Sequence, residues 1–245
     1  MDSDPSTITP GFNPLYAQVR QRLVAEMVSG RWTPGMALPT EQELAAELGV
    51  SQGTVRKALG SLAQDNLIVK VQGKGTFVAE PRDQEILFKF YRLTPDTGHD
   101  SGFPQSQVLS REKTKPTPLQ REALALDGRA TIWAIKRIRL HENAPAVLET
   151  VAVPKSLFPD LGARPDLPNN LYQLFGETYG QTVARVDEQL KAVAAEADDK
   201  KHLGCRIGTP LLQIDRVAFG LDGTPVEYRS SRCLTELMHY RATLK

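Results

Sequence analysis

Apolar residues recur at Tyr16, Val19, Leu23 and Met27 in LYAQVRQRLVAEMV, a spacing that gathers them on one helical face. It predicts a helix from Leu15 to Val28, stopped by Ser29-Gly30. A turn-rich loop, GRWTPGMALP, comes next. Thr40 and Glu43 then form a capping-box pair ahead of Leu44, Ala45 and Leu48, which predicts a short helix from Glu41 to near Gly49. Ser51 caps a third helix running to about Asp65, with Val50, Val55, Ala58 and Leu59 on its buried side. Two short helices joined by a tight turn at Gly49-Val50 make a helix-turn-helix. After Asn66 the period drops to two, and LIVKV and TFVAE flank the turn QGKG as a hairpin. A helix, a helix-turn-helix and a basic-tipped hairpin have the layout of a winged helix.

EPRDQE, from Glu80 to Glu85, has no periodicity and reads as a linker. The remainder is rich in strands. LFKFYRL alternates and is followed by a polar insertion, TPDTGHDSGFPQ. ATIWAIKRIRL and APAVLETVAV are strands about the turn His141-Glu142-Asn143, and NNLYQLFGETYG is a capped helix from Asn170 to Tyr179. QTVARVDEQLKAV suits a strand and AAEADDKKHLG a helix; PLLQIDRVAFG and PVEYRSSRCL are strands about Leu221-Asp222-Gly223. Runs of strands with a few helices between them predict an α+β class with a mixed or antiparallel sheet, not a parallel βαβ fold. The expected organisation is a winged helix over 12–79, a linker over 80–85 and a sheet domain over 86–245.

At 245 residues and 40% hydrophobic, the chain is long enough for two modest cores. Its net charge of +1 does not announce a nucleic-acid binder, but the cations are unevenly placed. Arg56, Lys57, Lys70 and Lys74 fall between Ser51 and Gly75, where the only acid is Asp65. The third helix also starts on small polar groups, Ser51, Gln52, Gly53 and Thr54, with a glycine that costs helix stability. A helix end built this way is aimed at something outside the protein.

LPTEQELAAELGVSQGTVRKALGSLAQDNLIVKVQGKGTFV closely resembles the winged-helix domain of GntR-type bacterial transcriptional regulators. IKRIRL, PAVLETVAVPKSLFPDL, NNLYQLFGETYG, GTPLLQIDRVAF and GTPVEYRSS together resemble the UTRA effector-sensing domain of the HutC-like branch. The resemblance implies a regulator that binds double-stranded operator DNA as a homodimer in the cytoplasm and answers to a small anionic metabolite. It places DNA contacts at Thr40, Gln42, Ser51, Gln52, Gly53, Thr54, Arg56, Lys57, Lys70, Gln72, Gly73 and Lys74. Gln52 and Gln42 stand where members carry arginine. Glutamine favours adenine or a phosphate over guanine, so the half-site is expected to differ from the family's commoner ones.

In the second domain Arg137 and Arg139 alternate on a strand and share a face. The resemblance puts an anionic group of the effector on this pair, with Glu149 on the next strand and Tyr172, Glu227, Tyr228 and Arg229 as further contacts. The competing reading is a solvent-facing, salt-bridged sheet edge. RCLTE replaces the family's Tyr-Arg-Gly-Asp-like run, which leaves the ligand open.

No catalytic residue, metal or cofactor is expected. His99, His141, His202 and His239 lie in separate segments without HxH or HExxH spacing, and QGKG lacks the GxxxxGK[ST] frame of a phosphate loop. Cys205 and Cys233 show no metal or redox spacing and suit a reducing compartment as small buried hydrophobes. MDSDPSTITPGFNP lacks an apolar core and reads as a frayed leader, not a signal peptide; no apolar run is long enough to span a membrane. The alternative class is enzymatic, because UTRA domains resemble chorismate lyase in fold, but fold likeness does not establish chemistry.

Overall fold

The computed structural model of the chain describes residues 14–65, 67–79, 92–96 and 104–242. The leader, the Glu80–Glu85 linker, His99, and most of LFKFYRL and of the polar insertion lie outside them. The chain divides into two compact units, one made mainly of residues 1–81 and the other of most of residues 82–245.

The first unit packs α1 (Leu15–Val28), α2 (Glu41–Leu48) and α3 (Gln52–Gln64) around Val19, Leu23, Leu44, Val55, Ala58, Leu59 and Leu62, all fully buried or nearly so. Thr40 and Glu43 make the expected capping box, and Gly49 ends α2 in the left-handed region that glycine tolerates best. Ser51 caps α3 by accepting from the Thr54 amide at 3.2 Å. Strands β1 (Ile68–Val71) and β2 (Gly75–Val78) pair antiparallel, so Gln72, Gly73 and Lys74 form the wing tip. The loop before α2 lies along β2: the Leu38 amide donates to the Thr76 carbonyl at 2.8 Å and the Val78 amide to that of Met36 at 2.9 Å. The wing is therefore tied to the helices by backbone.

The second unit is a six-stranded antiparallel sheet in the order β4-β5-β6-β9-β8-β7. Its strands are β4 (Ser106–Thr114), β5 (Ile132–His141), β6 (Ala144–Pro154), β7 (Val183–Ala194), β8 (Pro210–Gly220) and β9 (Pro225–Leu234). A small separate pair, β3 (Leu93–Pro95) with β10 (Met238–Tyr240), adds Leu93 and Met238 to a cluster with Val147, Ile214 and Cys233. One sheet face carries α5 (Leu171–Tyr179) and a 3-10 turn at Leu161–Ala163, packed through Phe158, Leu161, Leu171, Tyr172, Leu174 and Phe175 onto Ile135, Val151 and Val153. The other face meets α4 (Pro118–Ala123), followed by Leu124, and α6 (Ala197–Leu203).

Two close approaches fix the cover on the first face. Trp133 donates its indole N–H to the Phe158 carbonyl at 2.7 Å. A Cβ on Gly162 would stand 2.2 Å from the Trp133 ring, so the turn closes only with glycine there.

Candidate functional site

The exposed start of α3 and the wing tip lie on the first unit. Ser51, Gln52, Gly53, Arg56, Lys70, Gln72, Gly73 and Lys74 are all exposed, and Thr54 is half-buried. The Ser51 and Thr54 hydroxyls lie 2.9 Å apart, which holds both at the mouth of the helix. The nearest atom that a Cβ on Gly53 would meet, the Ser51 hydroxyl oxygen, is 3.8 Å away, so this turn stays open for close approach of a partner. Gly73 takes φ +73° at the tip, a left-handed conformation that glycine adopts at least cost.

Two of the expected contacts, Thr40 and Lys57, also make contacts within the unit. The Thr40 hydroxyl is held in the capping box, donating to Glu43 Oε2 at 2.9 Å. Gln42 is exposed on the first turn of α2. Lys57 turns toward α1, its ammonium 4.2 Å from the centroid of the Tyr16 ring, away from its helical neighbour Arg56. A residue absent from the sequence-based set sits at the centre of the surface. Glu41 accepts from Arg56 Nε at 2.8 Å through one oxygen and faces Lys70 Nζ at 3.5 Å through the other. Desolvation pushes its carboxyl up, but these cations outweigh that and leave it below the usual carboxylate range.

In the second unit, Arg137 and Arg139 are each 1% exposed, which removes the solvent-edge reading: β5 is an inner strand covered by α5. Arg137 Nε donates to Glu149 Oε2 at 2.5 Å, and Arg139 Nε donates to Glu149 Oε1 at 2.8 Å. Arg229 adds a third guanidinium at 3.4 Å from Glu149 while gripping both oxygens of Glu227, at 3.0 and 2.8 Å. Tyr172, on the first turn of α5, donates to Glu227 at 2.9 Å, and its ring lies 5.3 Å from the Arg229 guanidinium carbon. Arg216 continues the cluster to Glu188 on β7 at 2.8 Å.

Burial alone lifts the Glu149 carboxyl, yet the three guanidiniums hold it well below the usual carboxylate range. Desolvation lowers Arg137 to about 9, against the pull of Glu149, so it stays cationic at neutral pH. Desolvation and the neighbouring Glu227 raise the Tyr172 phenol to about 12. Four guanidiniums, of Arg137, Arg139, Arg216 and Arg229, thus face three carboxylates, of Glu149, Glu188 and Glu227, an excess of one positive charge.

The structure brings together Arg137, Arg139, Glu149, Tyr172, Glu227 and Arg229. Tyr228 is a correction: between Glu227 and Arg229 on a strand it must face the opposite side, where it joins Leu124, Ile132 and Ala152 and donates to Asp215 at 3.2 Å. Glu149 holds the arginines themselves. Sequence reasoning missed Arg216, whose signal was a cation at an inward position between Ile214 and Ala218, and Asn170, read only as a helix cap. Four buried polar atoms have no hydrogen-bond partner among the described residues: Nε of Arg164, the Tyr179 hydroxyl and, at this cluster, Nη2 of Arg137 and Nδ2 of Asn170. The last two belong to one neighbourhood, since Arg137 Nη1 reaches the Asn169 carbonyl at 3.4 Å.

A winged helix that presents cations and small polar groups, joined to a sheet unit that buries an excess of positive charge beneath a helix, defines a class: DNA-binding regulators with a ligand-binding domain. The model of the gntR family of bacterial regulatory proteins matches residues 15–78, and that of the UTRA domain matches residues 100–239. The chain belongs to the GntR family and is a transcriptional regulator of its HutC type, with a UTRA domain. It is 30% identical over 220 residues to the probable fructoselysine utilization operon transcriptional repressor of Escherichia coli, covering 89% of this chain and 90% of that protein. The histidine utilization repressor of Pseudomonas aeruginosa is 32% identical over 208 residues, covering 83% and 80%. Among solved structures, the ligand-binding domain of a GntR-family regulator from Bordetella bronchiseptica superposes with a TM-score of 0.58 at 31% identity, over 63% of this chain and 96% of that one. No helix among the described residues is long and apolar enough to cross a membrane.

Proposed function

We propose that this chain is a cytoplasmic, nucleoid-associated repressor that acts as a homodimer, releases its operator when a small anionic metabolite binds the second unit, and has no enzymatic activity of its own. In this reading Ser51, Gln52, Gly53, Thr54 and Arg56 enter the major groove, and Lys70, Gln72, Gly73 and Lys74 follow the backbone beside it. Thr40 and Gln42 approach the same duplex from α2, and Lys57 lies at its margin. A single winged helix reads too few base pairs for operator-level specificity, and pairing two copies doubles the contact set on an inverted repeat. The names of the relatives, a fructoselysine utilization repressor and a histidine utilization repressor, support a catabolic operon as the target.

One observation carries the ligand half. Arg137 Nη2 and Asn170 Nδ2 are both buried, both donors and both unpartnered among the described residues. A buried donor without an acceptor is costly, so such positions call for an oxygen-rich group. With the excess positive charge beside them, the group that fits best is a carboxylate or a phosphate. Glu149 and Glu227, already engaged by arginines and Tyr172, shape the site more than they bind the remainder of the ligand.

A thermal-shift screen of small carboxylates and phosphates tests this. A ligand that binds only the folded state stabilises it by about 2.7 kcal/mol at a hundred times its Kd, which raises the melting temperature of the wild type. Arg137→Lys keeps a charge but loses the planar fork, and is expected to lose most of that shift. A hit that stabilises both proteins equally would place the ligand elsewhere.

A further inference from the structure

Glu41 occupies an unusual place for a carboxylate on a surface read as binding DNA. It opens α2, but the cap of that helix is made by Thr40 and Glu43, so the Glu41 side chain is not spent on it. It reaches across to α3 and the wing, with one oxygen 2.8 Å from Arg56 Nε and the other 3.5 Å from Lys70 Nζ. Asp65, the residue that follows α3, is engaged by Arg20 at 2.9 Å. The salt bridge takes only the Nε edge of Arg56. Its two terminal nitrogens have no partner among the described residues, and the side chain is 65% exposed.

Two effects of opposite sign follow. A guanidinium pinned at Nε is held with its terminal nitrogens outward, the arrangement that a bidentate contact to guanine needs. The same carboxylate repels every phosphate that approaches and occupies two cations that would otherwise pair with the backbone of any duplex. The first effect favours one sequence; the second disfavours all of them. Together they widen the gap between operator and bulk DNA.

We propose that Glu41 is a specificity-determining positioning residue, holding Arg56 in its reading posture and withholding Arg56 and Lys70 from indiscriminate phosphate contact. This rests on the reading that α3 and the wing face DNA. The test uses the full-length chain, a duplex selected by the wild type from a random-sequence library, and a scrambled duplex of the same composition. Affinity for each is measured across a salt series.

Glu41→Gln is expected to bind the scrambled duplex several-fold more tightly, with a salt slope steeper by about one unit, because a phosphate contact has been gained. Its ratio of selected to scrambled affinity should fall by about 5–100-fold, the scale of one bidentate base contact. Glu41→Asp keeps the charge but shortens the reach, so its scrambled-duplex affinity should stay near wild type while the ratio still falls. A role in folding alone would weaken both duplexes in parallel and lower the melting temperature, and that result overturns the proposal. Arg56→Ala separates the two levels. If it leaves the selected duplex unaffected, the docking of α3 is wrong. If it weakens that duplex while Glu41→Gln preserves the ratio, only the assignment of Glu41 fails.

Discussion

Glu149→Gln is expected to destabilise the second unit by about 3–5 kcal/mol, the cost of breaking a buried ion pair from one side. The substitution keeps the shape and removes the charge, leaving the guanidiniums of Arg137 and Arg139 without their carboxylate in a region closed to water. Arg229 retains Glu227, so the loss centres on β5. The chain has two tryptophans, Trp32 in the first unit and Trp133 in the second. A Trp32→Phe background therefore lets Trp133 fluorescence report urea unfolding of the second unit alone. A change below about 1 kcal/mol, the range of an exposed pair, would show that the cluster is not sealed.

The same network has a pH signature. The Glu149 carboxyl is depressed in the folded chain, so its contribution to stability is present above the unfolded value of about 4.3 and disappears as pH falls through the lower, folded one. The wild type should lose stability over that acid range. Glu149→Gln should show a flatter acid limb, because the group that titrates is gone.

The second large effect concerns DNA. Arg56→Ala should weaken operator binding by about 1–3 kcal/mol for each half-site contacted, and twice that for a dimer on an inverted repeat. Relaxed discrimination should be confined to the base pair that Arg56 reads. Lys74→Ala, at the wing tip, should instead weaken all sequences alike and reduce the salt slope by about one unit. Gln52→Arg should move preference at one position toward guanine. An Arg56→Ala protein with unchanged affinity and salt slope would mean that α3 does not enter the groove.

The helices of the first unit were legible because local rules agree there: apolar spacing marks α1, a capping box opens α2, and Ser51 opens α3. Strands β5, β6, β8 and β9 were equally plain from their runs and turns. Strand β4 was not anticipated, because it lies at the sheet edge with mostly exposed or half-buried side chains and shows no alternation. Helix α4 was missed for a related reason: PLQREA buries none of its residues, and only the Thr117–Gln120 capping box marks it.

The arginine pair was visible as two cations in register on an apolar strand. The family resemblance set Glu149, Glu227, Tyr172 and Arg229 beside it, but their burial as one internally paired network, extended by Arg216, was not legible, since the pairs join separate elements. Burial decides the chemistry here: the same residues at a wet edge would be weak surface pairs, whereas under α5 they hold a concentrated positive charge. Tyr228 failed as a candidate on parity alone. Glu41 went unnoticed because its partners lie 15 and 29 residues away, beyond any local pattern.

Coupling between the two units is the central claim, and operator affinity measured with and without ligand tests it most directly. Fluorescence anisotropy on the selected duplex, with the strongest carboxylate or phosphate hit of the thermal screen at saturation, gives the number. The wild type should release DNA with affinity reduced about 5–150-fold, a coupling of about 1–3 kcal/mol, and Arg137→Lys should bind the duplex normally and not respond. Because coupling is reciprocal, the duplex must weaken ligand binding to the wild type by the same factor. A wild type whose operator affinity is unmoved by saturating ligand, or an Arg137→Lys protein that lets go at the same concentration, would contradict the account.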